Sequence, residues 1–174
     1  MSRMNLEIRC VSVALAVVVS ACGTQSSVQQ QGSAANTDAE TKAARAEIEA
    51  TTADISRWIS KPAVDSAASR ITDDYHWLPP DAPEDSGRAN WVRVVNGMME
   101  TGKFSEQPTM ESLVVSGPIA VSRGRIIYTF TPGPSAPKGA KASVDTFKYL
   151  WHWRRVDGRW LLATAAWNAN SPRR

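Results

Sequence analysis

Residues 147–168 read FKYLWHWRRVDGRWLLATAAWN and hold four of the chain's seven tryptophans. Two runs rich in aromatic and apolar residues flank Asp157-Gly158, a dipeptide suited to the left-handed backbone of a tight hairpin turn. Side chains alternate across a strand, so Phe147, Tyr149, Trp151 and Trp153 share one face and Lys148, Leu150, His152 and Arg154 the other. The aromatic face is expected to point inward, because four exposed rings would form a large apolar patch.

Upstream, MESLVVSG and IAVSRGRIIYTFTP have the same period-two texture, and ASVDTFKYLWHWRRV extends the first arm of the hairpin. The Pro/Gly/Lys-rich TPGPSAPKGAK between two of these runs reads as an exposed loop. Before Pro108 the period changes. Ile48, Thr52, Ile55 and Ile59 recur at helical spacing, with acidic residues early, Arg57 and Lys61 late, and Pro62 as the stop. Val64, Ala67, Ala68 and Ile71 mark a second helix; Trp91, Val94, Val95 and Met98 mark a third, capped by Ser86 and ended by Gly102. Helices first and an antiparallel sheet after them make an α+β domain over residues 39–170.

The N-terminus, MSRMNLEIRCVSVALAVVVSACGTQSS, has Arg3 and Arg9 ahead of an apolar run from Cys10 to Val19. The run is shorter than the roughly 20 apolar residues that span a bilayer, so residues 1–21 read as a signal peptide. Val19-Ser20-Ala21-Cys22 resembles the lipobox of bacterial lipoproteins, which implies lipidation of Cys22 and a bacterial envelope location. Gly23 follows Cys22, and lipoproteins that lack an aspartate at that position resemble those exported to the outer membrane, which implies an outer-membrane anchor facing the periplasm. Several acyl chains, at about 0.8 kcal/mol per buried methylene, would make the anchor essentially permanent. Residues 22–38 lack apolar periodicity and read as a flexible tether spanning roughly 20 Å. With Cys10 in the signal and Cys22 lipidated, the domain has no cysteine for a disulfide, a nucleophile or a thiolate metal site. A net charge of +3 for the whole chain argues against nucleic acid as a partner.

Asp73, Asp74, Pro80 and Gly87, then Ser116, Gly117 and Ala120, then Trp153, Gly158 and Trp160 follow one another in an order that resembles the nuclear transport factor 2-like superfamily, in its SnoaL-like and ketosteroid-isomerase-like branch. The likeness runs from about Ala44 to Asn168. It implies a cone: about three N-terminal helices packed on a strongly curved antiparallel sheet, open at one end into a pocket. Trp58, Tyr75, Trp77, Tyr149, Trp151 and Trp153 are the expected pocket wall, able to hold a small apolar or aromatic ligand. The resemblance also implies a homodimer through the outer sheet face, where Leu150, His152 and Leu161 would make contact.

Ketosteroid isomerase uses an aspartate base and an oxyanion hole of a tyrosine and a protonated aspartate. The corresponding positions fall on Pro79, Ile55 and Trp151, none of which carries a carboxylate or a phenol. Asp74 with His76 is the sharpest alternative acid–base pair, with Tyr75 beside it. Asp73 and Asp74 also suit a turn after the second helix, held by backbone hydrogen bonds. His76 and His152 are the only histidines and lie far apart, so no metal site and no cofactor is expected. The reading is an anchored, non-catalytic ligand-binding lipoprotein, with an envelope assembly module and a SnoaL-like isomerase, cyclase or hydrolase as alternatives.

Overall fold

The computed structural model describes residues 37–80 and 82–170. The expected signal segment, Cys22 and nearly all of the tether lie outside the described residues. Helix α1 (Asp38–Ser60) begins at a capping box: Thr37 Oγ1 accepts from the Glu40 amide at 3.2 Å, and Glu40 Oε2 accepts from the Thr37 amide at 2.8 Å. Its buried stripe, Ala44, Ile48, Thr51, Thr52, Ile55, Ser56 and Ile59, follows the helical period. Helix α2 (Val64–Ala68) is a short turn with Val64, Ala67 and Ala68 buried, and α3 (Arg88–Thr101) buries Trp91 and Val95.

Strands β1 (Ile71–Leu78), β2 (Asp85–Ser86), β3 (Gly102–Ser116), β4 (Ile119–Pro132), β5 (Ser143–Val156) and β6 (Arg159–Ala169) form one sheet in the order β2-β1-β6-β5-β4-β3. Every pairing is antiparallel except β1 with β6. The sheet is curved, and the helices pack on its concave side in the expected α+β arrangement. At the β5–β6 turn Asp157 and Gly158 have φ of 48° and 79°, as a two-residue hairpin requires. Phe147, Tyr149, Trp151 and Trp153 are all buried, and Trp153 donates its indole N–H to Ser122 Oγ at 2.9 Å. Tyr149 crosses Gly124 so closely that a methyl group there would lie 2.9 Å from its ring and 2.0 Å from the Thr109 carbonyl oxygen.

Three expectations are corrected. Ile71 belongs to β1 and not to the second helix, and Asp73 and Asp74 lie in that strand, where Arg88 and Arg154 pair with them. Ser86 is in β2; the residue that caps α3 is Gly87, whose φ of 86° turns the chain from strand to helix. Strand β3 begins eight residues earlier than Met110, at Gly102, with Pro108 opposite Ile126. Proline is tolerated there because β3 is the edge of the sheet.

Candidate functional site

The concave face of the sheet and the helices do not close completely on each other. Between them lies a cavity of about 60 Å³. Helix α1 contributes Thr52, Ile55 and Ile59; β1 contributes Ile71, Tyr75 and Trp77; α3 contributes Trp91, Val95, Met98 and Met99. Glu106 of β3, Ile126 and Tyr128 of β4, Trp151 of β5, and Leu162, Ala165 and Trp167 of β6 complete the wall. The free space is narrower than the several hundred Å³ typical of ligand pockets, because large rings occupy most of the cone. Tyr75 meets Trp91 edge-on at 6.2 Å, and Trp77 meets Trp167 at 5.4 Å.

Glu106 is the one carboxyl in this wall, and no lysine, arginine or histidine accompanies it. It stands directly opposite Tyr128 in the β3–β4 register, and its Oε1 accepts from Ser56 Oγ at 3.0 Å. Burial among apolar neighbours pushes its pKa up from 4.5 to about 7, against the opposing effect of the Ser56 hydrogen bond. The side chain keeps some accessible surface, as befits a group at a cavity wall. Tyr75 is held well above the ordinary phenol range, first by burial and then by the nearby Glu106 and Tyr128; Tyr128 is raised by burial and by Glu106. Among the described contacts neither phenol is hydrogen-bonded to the carboxyl. Thr52 Oγ1 and Trp151 Nε1 are buried in the same wall without a hydrogen-bond partner among the described residues.

A carboxyl poised near neutrality can donate a hydrogen bond when protonated and accept one when ionised, so it can give or take a proton at physiological pH. Next to the cavity, and sharing Trp77, Met98, Tyr128 and Trp167 with it, lies a wider hollow bordered by Pro79, Pro80, Glu84, Asp85 and Phe147. The two spaces are separated by these four shared side chains.

The residues expected at the site divide into three groups. Tyr75, Trp77 and Trp151 line the cavity. Trp58, Tyr149 and Trp153 do not: Trp58 packs against the guanidinium groups of Arg57 and Arg70, at 5.3 Å and 5.7 Å from its ring. Tyr149 stacks on Trp151 at 4.1 Å, and Trp153 is fully buried against Trp151 and Ser122, so both support the wall from behind. Asp74 and His76 form the third group. Tyr75 and Trp77 face inward along β1, so the residues between and before them face outward. Asp74 pairs with Arg154, and His76 Nδ1 lies 2.5 Å from Glu84 Oε1; their side chains are 63% and 49% exposed. Neither reaches the cavity. Of the positions that the sequence resemblance sets against the catalytic groups of ketosteroid isomerase, Ile55 and Trp151 are cavity wall and Pro79 borders the neighbouring hollow. On the outer sheet face Leu150 is exposed and His152 half-buried, whereas Leu161 is buried within the protomer and is not available to a partner.

No family model and no curated protein sequence matches the chain. Solved structures do. The chain has the nuclear transport factor 2-like fold. A nuclear transport factor 2-like protein with a cystatin-like fold from Novosphingobium aromaticivorans matches with a TM-score of 0.63 at 14% identity, over 76% of this chain and 86% of that one. A ketosteroid isomerase-like protein from Erwinia carotovora atroseptica matches with a TM-score of 0.62 at 21% identity, over 73% and 96%. A protein of unknown function from Mycobacterium tuberculosis matches with a TM-score of 0.67 at 17% identity, over 77% and 76%. At these identities the nuclear transport factor 2-like fold is what the comparison establishes.

Proposed function

We propose that this protein is a lipid-anchored envelope protein whose cone binds a small, largely apolar or aromatic molecule, with Glu106, Tyr75 and Tyr128 meeting the molecule's polar end. The observation that carries the reading is the cavity itself: Glu106, Tyr75 and Tyr128 are among the residues that line it, and the remaining wall is mostly ring and aliphatic surface. Rings pack the rest of the cone, so the void marks where they leave room for a guest. Lipidation at Cys22 would hold the domain at the outer membrane facing the periplasm, and a contact between two copies would use the exposed Val114, Val121 and Leu150 of the outer sheet face.

The test is a tryptophan-fluorescence titration of the full chain in detergent with acetophenone, beside a Val95→Trp variant in which the cavity is filled. Saturable quenching in the parent protein and its loss in the folded variant support the proposal. Quenching that never saturates, or that is the same in both proteins, refutes it.

One observation favours a second reading, in which the site also transfers a proton. Glu106 titrates near 7, the range in which a general base is most effective at neutral pH. The same fold is found in a protein described as ketosteroid isomerase-like, and ketosteroid isomerase itself moves a proton with a carboxylate base. Exchange of the acetophenone methyl protons for deuterium in heavy water, followed by NMR, would be accelerated by the parent protein and not by Glu106→Gln if this reading holds.

A further inference from the structure

We infer that the polar end of the molecule held in the cone is a cation, a small methylated or aromatic ammonium, bound between the Glu106 carboxylate and the faces of the surrounding rings. The inference rests on the cavity's being a binding site. It follows from the charges and surfaces that face the void.

The wall contains one group able to carry a full charge at neutral pH, and that charge is negative. The other titratable groups facing Glu106 are the phenols of Tyr75 on β1 and Tyr128 on β4; α1 presents the hydroxyls of Ser56 and Thr52, and α3, β5 and β6 present no titratable side chain. An anionic ligand would meet repulsion and find no cationic partner. A cationic one would supply the counter-ion that the fold leaves out, in a low-dielectric site where such pairing is strong.

The rings point the same way. Trp77, Trp151, Trp167, Tyr75 and Tyr128 line one small space. Aromatic faces attract ammonium groups through their quadrupoles, most strongly when the site is desolvated, and methylated ammonium is the form that loses least hydration on entering such a cage. The limited free space suits a compact head group.

The hollow beside the cavity points the same way. Its only charged lining residues among those described are Glu84, which lies beside His76, and Asp85, which accepts from Asn90, and no lysine or arginine borders it, although the chain as a whole carries +3. Acidic surface next to a site raises the local concentration of cations and repels anions.

The probe is phenyltrimethylammonium, compared with its neutral isostere tert-butylbenzene, each titrated into the full chain in detergent at pH 6 and pH 8. The cation carries a fixed charge, so any pH dependence belongs to the protein. For a carboxyl titrating near 7, the ionised fraction rises about tenfold between those pH values, and cation affinity rises with it by up to about tenfold. The isostere shows no such rise. Glu106→Gln abolishes the pH dependence and weakens cation binding while leaving tert-butylbenzene bound. Binding of the isostere as tightly as the cation at pH 8, or cation affinity that is flat with pH, overturns the inference while leaving the cavity reading intact. Failure of both compounds to bind overturns the two together.

Discussion

Replacing Glu106 by glutamine keeps the size of the side chain and an oxygen that can accept the Ser56 hydroxyl, but removes the ability to ionise. The consequence for stability depends on pH, and its sign follows from linkage. In the unfolded chain the carboxyl titrates near its ordinary value of 4.5, and in the folded protein near 7. Below about pH 4 both states hold the proton and the two variants have similar stability. Between those values the folded state binds a proton that the unfolded state has released, so the parent protein loses stability relative to the glutamine variant as pH rises, by about 1.4 kcal/mol per pH unit. Above about pH 7 both states are ionised and the difference levels off at about 3 kcal/mol in favour of glutamine. Urea denaturation followed by tryptophan fluorescence at pH 4, 5.5, 7 and 8, with the variant curve subtracted from the parent, isolates this one group because all other titrations cancel. A difference that is flat with pH, or that favours the parent protein more as pH rises, would refute the assignment of Glu106 as a carboxyl buried without a counter-ion.

Other substitutions test the surrounding structure. Gly124→Ala places a methyl group 2.0 Å from the Thr109 carbonyl oxygen and under the Tyr149 ring, and is expected to cost roughly 1–3 kcal/mol by urea denaturation. Trp153→Phe removes the indole donor to the buried Ser122 hydroxyl, which also interacts with Tyr149, with an expected loss of about 1–3 kcal/mol in the same assay. Asp74→Asn and His76→Ala remove only exposed pairs, and each should change stability by no more than about 1 kcal/mol and leave ligand quenching unaltered.

The hairpin and the inward aromatic face were legible because a strand's period of two, combined with an Asp-Gly turn, admits few alternatives. The cone followed from the family resemblance, and the solved structures bear it out. The placement of individual rings was not legible. Phe147, Tyr149, Trp151 and Trp153 share one face, yet only Trp151 of the four reaches the cavity, since how far each ring projects depends on the curvature of the sheet and on Gly124 and Ser122 beneath it. Asp74 and His76 could have been set aside by parity alone: if Tyr75 and Trp77 face inward along a strand, their neighbours cannot.

Glu106 was missed for a physical reason. Phe104, Glu106, Pro108 and Met110 continue the inward-facing set of β3, but a carboxylate and a proline in an otherwise apolar series hide the alternation, so the period of two is visible only from Met110 onward. The same break in pattern is informative once the strand is known. Local rules fail where a residue is kept for something other than stability. A leucine at position 106 would restore the apolar series and avoid the cost of ionising a buried group.

The fold sorts its charges. Arg57 and Arg70 lie against Trp58, Arg88 and Arg154 pair with Asp73 and Asp74, and Arg123 and Arg125 pair with Glu111, while none of these cations borders the cavity. Turning a single basic side chain inward would neutralise Glu106 permanently, lower its pKa and fill the void. Without such a side chain the carboxyl stays near the point of ionisation, and the choice between its two forms passes to whatever enters the cone. A neutral guest leaves Glu106 protonated and a cationic guest ionises it, so proton release on binding, measured by calorimetry in two buffers of different ionisation enthalpy, distinguishes the two. Release of a substantial fraction of one proton per bound phenyltrimethylammonium at pH 6.5, absent in Glu106→Gln, is the outcome the charge arrangement requires.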